Sequence, residues 1–296
     1  MPKAVSAAAV AAALLAFVLI IAMMPVVLRS GGEGQAALRW FWSDGFQTLK
    51  GYIAGLASGE SFQFYLGKNQ FDFRNMIGRH FMISLFYVAA AGILGTIIGL
   101  LAGLFFGASR KGWLQGIVDF TGFIPEFVII LMLQFGVVII FKQTGVLLFE
   151  VATLSSDEPA IVMPLLAMVI IPAGYLIRHV SMGVKLALTE DYIVTAKARG
   201  LKKSYILFYH ALPNVLPYLR GDLHKLMGII MGNLFIVEYL MNNKGISQFI
   251  FSAAFSGWGY QYNVVVNGLV SFLLLYAIGY WLLSGLLYGL GRIFAR

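Results

Sequence analysis

Cysteine is absent from the 296 residues, which excludes disulfides, thiolate metal sites and a thiol nucleophile. Charge is nearly as scarce. Charged residues make up 11% of the chain, less than half the share of an average soluble domain, so a water-soluble fold would be unable to cover its surface. The four histidines, His80, His179, His210 and His224, are scattered in sequence with no HExxH-type spacing, and no metal site is expected from them. There is no GxxxxGK[ST] loop to cradle a phosphate and no Ser/His/Asp or paired-carboxylate arrangement in a soluble domain. The chain is therefore expected to have no catalytic residues and to be no enzyme. Basic stretches interleaved with aromatics are missing as well, so the net charge of +8 does not point to nucleic acid.

What is present is apolar residues, 60% of the chain, arranged in blocks. A hydrocarbon core about 30 Å thick is crossed by roughly 20 helical residues, and six blocks meet that length: residues 5–28, 81–106, 114–141, 160–182, 222–241 and 264–293. The first follows Lys3 and is interrupted only by Ser6, longer than the roughly 7–15 apolar residues of a cleavable signal, so it is expected to be retained. The expected fold is an all-α, six-span integral membrane protein, in which Phe and Met are mostly lipid-facing or core material.

Between the first two blocks, residues 29–80 mix Trp40, Trp42, Phe46, Tyr52, Phe62, Phe64 and Tyr65 with charges and glycines, a composition suited to amphipathic segments at a membrane interface. This divides the chain into residues 1–80, a first span with an extracytoplasmic interfacial segment, and residues 81–296, a five-helix core. In the second block Gly95, Gly99, Gly103 and Gly107 recur every fourth residue and stack on one helix face, where they allow close approach of another backbone. Pro125 is expected to kink the third block, and Pro164 and Pro172 to break the fourth.

The connections assign sides. Arg110 and Lys111, the 183–217 segment with Lys185, Lys197, Arg199, Lys202 and Lys203, and the tail with Arg292 and Arg296 are basic, whereas the 142–159 and 242–262 loops are not. Both chain ends are thus expected in the cytoplasm, with the basic residues facing anionic lipid.

The 183–217 connection is longer than a simple turn needs. Glu190 to Arg199 reads as a helix, with acids in its first turn, Lys197 and Arg199 in its last, and Gly200 as terminator. A second helix from Ser204 to Leu212 is expected to stop at Pro213. Tyr192, Ala196, Ala198 and Arg199 would present a small-residue surface beside aromatic and basic groups, suited to a groove on a partner.

This stretch resembles the EAA loop of binding-protein-dependent permeases of ABC importers. With Gly200 aligned, Val194, Thr195 and Ala196 fall on the EAA triplet, and His210, Ala211, Leu212 and Pro213 on the closing tetrad. Val194 and His210 depart from the general form. The version of the dipeptide, oligopeptide and nickel branch is matched more fully, by Tyr192, Ile193, Thr195, Ala196, Ala198, Gly200 and Leu201. Phe71-Asp72-Phe73, Ile124-Pro125, Pro172, Arg178, Val237-Glu238 and Gly245 fall in the same order as similar residues of that branch, so the resemblance covers about residues 70–290.

The resemblance implies a type I importer permease in a prokaryotic inner membrane. It implies a coupling loop containing Glu190, Asp191, Tyr192, Thr195, Ala196, Ala198, Arg199, Gly200, Leu201, Leu212 and Pro213, docked on separate ATPase subunits that hold ATP and Mg. A second permease subunit and an extracytoplasmic solute-binding protein are the other implied partners. Acids inside the bilayer are costly and mostly face the bundle interior, which makes Glu126 and Glu238 the candidates for the translocation path. Glu238 fits a gate or packing role better than ligand contact. The rival classes are a stand-alone secondary transporter, which would need midplane coupling-ion sites and ideally an internal repeat, and a membrane-embedded enzyme, which would need convergent catalytic groups.

Overall fold

In the computed structural model, the apolar blocks form helices because a backbone in lipid must satisfy its own hydrogen bonds. The residues described are 2–30, 38–109, 124–153, 159–256 and 259–294, with isolated positions between 110 and 123. Arg110, Lys111, Leu114, Asp119, Asp157, Glu158 and Arg296 lie outside them.

The helices are α1 (Pro2–Val27), α2 (Trp42–Ser58), α3 (Phe73–Ala108), α4 (Glu126–Thr144), α5 (Val162–Ala187), α6 (Asp191–Ala198), α7 (Lys203–Ile206), α8 (Leu212–Gly221), α9 (Leu223–Leu240), α10 (Ile246–Ala254) and α11 (Tyr262–Phe294). Among the described residues, six of them, α1, α3, α4, α5, α9 and α11, are long and apolar enough to cross a membrane. Large apolar side chains stand exposed along them, including Phe17, Phe135 and Trp281, as lipid-facing positions do and water-facing ones rarely do. Contacts divide the chain into two units, Met1–Met82 with Gly245–Leu275, and Ile83–Lys244 with Tyr276–Arg296.

In the first unit, the interfacial stretch carries two short hairpins, which the composition of residues 29–80 did not indicate: β1 (Leu28–Ser30) with β2 (Leu38–Trp40), and β3 (Gln63–Leu66) with β4 (Asn69–Asp72). Gly67 turns the second with φ +62°, the left-handed value that a two-residue Gly-X turn requires. Asp72 then caps α3, its Oδ1 accepting from the Arg74 backbone N–H at 2.9 Å. Arg74 also donates to the Asp72 carboxylate through its guanidinium, and this pairing is the main cause holding the Asp72 pKa below its ordinary value. One core gathers Val18, Ala22, Met23, Val27, Tyr52, Tyr262 and Val266. Its polar members are paired, Tyr52 Oη donating to Asn267 Oδ1 at 2.7 Å and Asn267 Nδ2 to the Ser61 carbonyl at 2.8 Å, as burial demands. Burial also raises the Tyr52 phenol.

In the second unit, the glycine stripe of α3 meets α5. A Cβ built on Gly99, Gly103 or Gly107 would run into Leu176, Val180 or Val184 respectively, and one on Gly95 would press closely on Pro172. Both series advance by four, the spacing of one ridge row on each helix. Asn233 of α9 donates to the Ala167 carbonyl of α5 at 3.0 Å.

The expectations for four prolines are corrected. Pro125 does not kink a span; it stands immediately before α4 with ψ 142°, a place where its missing N–H has no intrahelical partner to lose. Pro164 lies in the first turn of α5, where the same holds, and Pro172 sits inside a helix that continues to Ala187, its ring set against Gly95. Pro213 does not end its helix either. Residues Leu207–Ala211 form a π turn, and Leu212 N–H bonds back to the Leu207 carbonyl. The widened turn relieves the clash a proline would make with the carbonyl four residues earlier, and the helix runs on through α8.

Candidate functional site: the 190–213 hairpin and its surroundings

The hairpin is built by a turn that needs glycine. At the end of α6, Gly200 N–H bonds to the Lys197 carbonyl at 3.0 Å and Leu201 N–H to the Ala196 carbonyl at 3.3 Å, the paired bonds of a Schellman motif. Gly200 adopts φ +73° with nothing within 4 Å of where a Cβ would stand, so conformation and not space selects glycine. The chain then reverses into α7.

The hairpin has its own small core of Ile193, Ala196 and Ile206, with Leu188 packed against it. Ala196 is therefore turned inward and is 4% exposed, which corrects the expectation that it forms part of the presented surface: at this spacing it shares the buried face with Ile193. Leu212 is also buried, and Pro213 partly so. Glu190, Asp191, Tyr192, Thr195, Ala198, Arg199, Gly200 and Leu201 are on the exposed side. Tyr192 is held by Asn214, whose Nδ2 donates to its Oη at 2.9 Å and to the His210 carbonyl at 2.7 Å. Partial burial, with the neighbouring Glu190, raises the Tyr192 pKa. Phe208 stacks on Phe294 at 5.8 Å between centroids, fixing the hairpin's second arm to the end of α11.

A cavity of about 540 Å³ opens between α5, α6 and α8, lined in part by His179, Glu190, Tyr192, Asn214 and Asp222. His179 Nδ1 lies 3.4 Å from Asp222 Oδ2. Sequence spacing does not signal this grouping, because 43 positions separate the pair and only the folding of α8 back along α5 joins them.

The two acids expected inside the bilayer are placed differently. Glu126 is exposed at the first residue of α4 and lines a small cavity with Arg178, Ile170 and Gly174. Glu238 is fully buried, with Ser84 Oγ donating to its Oε1 at 2.5 Å. Its backbone carbonyl accepts from Asn243 N–H at 3.0 Å. Asn243 Oδ1 in turn accepts from Thr153 Oγ1 at 3.1 Å, so Glu238 belongs to a polar knot joining α3, α9 and the loop that precedes α5. Among the described residues, no three His, Asp or Glu side chains gather as a metal site would require.

Known proteins resemble this chain in sequence and in fold. Residues 95–296 match the family described as "Binding-protein-dependent transport system inner membrane component". The Dipeptide transport system permease protein DppB of Bacillus subtilis (strain 168) is 29% identical over 206 residues, 67% of this chain and 64% of that protein. DppB of Lactococcus lactis subsp. cremoris (strain MG1363) is matched over 65% of its length, so the alignments span less than two thirds of these two relatives. The Oligopeptide transport system permease protein OppB of Salmonella typhimurium is 28% identical over 229 residues, 73% of this chain and 69% of that one. The Metal-staphylopine import system permease protein CntB of Staphylococcus aureus (strain NCTC 8325 / PS 47) is 25% identical, over 53% of this chain and 48% of CntB. In fold, a chain of the MetNI methionine ABC transporter, solved in inward-facing conformations, superposes with a TM-score of 0.50 at 17% identity, covering 73% of this chain and 96% of that one. With more than half of its length matched, this chain belongs to the family of inner-membrane components of binding-protein-dependent transport systems.

Proposed function

We propose that the chain is the membrane-spanning permease subunit of an ATP-driven importer and forms, with a second permease subunit, the path for a small polar solute. In this reading residues 1–80 are a first span with an extracytoplasmic segment, residues 81–296 are the permease core, and both chain ends face the cytoplasm. ATP and Mg belong to separate ATPase subunits, and an extracytoplasmic binding protein delivers the cargo. The names of the relatives, which speak of dipeptide, oligopeptide and metal-staphylopine transport, support a peptide-like solute or a small chelated metal.

The observation that carries the proposal is the two-sided hairpin. Ile193, Ala196 and Ile206 hold it together from within, while the outer side of residues 190–201 exposes Glu190, Asp191, Thr195, Ala198 and Arg199 beside Tyr192, Val194 and Leu201. A rigid element of this kind transmits a push because its own core resists deformation. ATP binding on the partners would draw two such hairpins together and switch the access of the path. In this reading Glu126, which lines a small cavity with Arg178, faces that path, and Glu238 acts from within the packing around it.

The test is reconstitution. Vesicles containing the permease, its co-purifying ATPase and the binding protein should accumulate solute only with ATP, and the isolated chain should hydrolyse none. Solute movement by the isolated chain without nucleotide, or labelling of residue 200 from outside intact cells, would overturn the reading.

A further inference from the structure

A second cavity, of about 630 Å³, lies on another side of the hairpin. Its chemistry is unlike that of the His179 cavity. Lys185, Lys197 and Lys203 line it, Leu188, Leu201 and Ile206 form its apolar wall, and among the described residues no acidic side chain lines it. Three ammonium groups in one concavity select an anion, and an apolar wall beside them selects one that carries hydrocarbon.

Its depth is fixed by the helices. Gly107 and Ala108, the last residues but one and last of α3, line it, and Lys185 belongs to the last turn of α5. Both are membrane-spanning helices, so the cavity stands where hydrocarbon gives way to headgroups. That holds whichever side of the membrane the hairpin occupies. A free phosphate would satisfy the lysines and leave the leucine wall wet; a lipid phosphodiester satisfies both. Basic pockets at the ends of spanning helices are where anionic headgroups bind, and lysine stems can lie along apolar surface while their charges reach the phosphate.

We infer that this cavity is a binding site for an anionic phospholipid, whose phosphodiester sits among Lys185, Lys197 and Lys203 and whose glycerol and upper acyl region rest on Leu188, Leu201 and Ile206. Bound there, the lipid bridges the end of α5 to both arms of the hairpin, since the three lysines come from α5, α6 and α7. The inference requires a membrane boundary at this level and does not require that an ATPase dock on the hairpin.

The experiment uses the full chain, with whatever subunits accompany it, in nanodiscs of mixed phosphatidylglycerol and phosphatidylcholine, and native mass spectrometry of the lipid retained on release. Wild type should retain phosphatidylglycerol in preference, and the preference should fall by about fivefold for each lysine changed to Gln. Lys185→Arg/Lys197→Arg/Lys203→Arg should keep it, as should Lys142→Gln, which removes a charge from the far end of α4. Should the triple Gln variant fail to fold, added salt must weaken the wild-type preference, because the attraction is screened. A wild type without preference, a preference indifferent to salt, or a folded triple Gln variant that still retains phosphatidylglycerol would each overturn the inference. So would a triple Gln variant that keeps its lipid and loses a co-purifying ATPase, since the lysines would then belong to a protein interface.

Discussion

A methyl group added at Gly103 would lie 2.6 Å from Cβ of Val180, well inside the 3.5–4.0 Å at which carbon atoms rest. The two helices touch through hydrogen at this level, and there is no flexible side-chain end to move aside. Gly103→Leu is expected to destabilise the protein by about 1–3 kcal/mol, the cost of overpacking. Gly136 in α4 has nothing within 4 Å, and Gly136→Ala should be neutral or stabilising by up to about 1 kcal/mol through helix propensity. Thermal unfolding of both variants in one detergent separates the two cases.

Gly200 tests conformation instead of space. Its φ of +73° costs a residue with a Cβ about 1–2 kcal/mol, less for Asn, which tolerates the left-handed region. Gly200→Val should loosen the hairpin and lower solute uptake per ATP hydrolysed, and Gly200→Asn should retain most of it. Equal coupling in the two variants would remove the hairpin from the mechanism.

Glu238 and Ser84 are expected to matter through packing. Ser84→Ala removes a hydrogen-bond partner from a buried carboxyl group, a loss of about 1–3 kcal/mol. Glu238→Gln keeps an acceptor and should fold and transport, whereas Glu238→Leu should fail in expression and thermal stability. Altered solute preference in a stable Glu238→Gln protein would instead place this side chain in contact with cargo.

Glu126 is exposed, so Glu126→Gln should leave the unfolding temperature unchanged. On the path-lining proposal, the same variant should reduce uptake of cationic solutes more than of neutral ones. Unchanged transport and preference would end that proposal.

Asp72 carries a pH dependence of known sign. Its carboxyl is held below the ordinary value chiefly by the hydrogen bond from Arg74, so its contribution to stability is complete above the unfolded value of about 3.9 and is lost as pH falls through the lower folded value. Asp72→Asn retains a capping side chain and loses the charge. It should be less stable than wild type at neutral pH, and the difference should shrink on acidification below about pH 4.

Much of this was legible in residue spacing. The four-residue recurrence from Gly95 to Gly107 indicates a close helix contact, because a stripe without side chains has no other use in lipid, although its partner α5 could not be named. Acids at 190 and 191, bases at 197 and 199 and the glycine at 200 mark the first arm of the hairpin because capping and dipole effects are local. The prolines misled because their effect depends on phase. Pro125 and Pro164 fall at helix starts, where they cost little, and Pro213 follows a π turn that no composition signals. The β3–β4 hairpin did leave a signal, two four-residue runs around Gly67-Lys68, obscured by the aromatic content that suggests interfacial helices. The two cavities of the hairpin were out of reach, since their linings come from separate helices.

The π turn at Leu207–Ala211 amounts to one surplus residue in a helical ladder. Each residue advances an α-helix by about 100°, so this surplus sets the azimuth of the hairpin about the axis of α8. Removing a single position from that turn would swing everything before it by more than a quarter revolution about that axis. The side the hairpin offers to a neighbour is thus governed by insertion length, a quantity that point substitutions leave untouched.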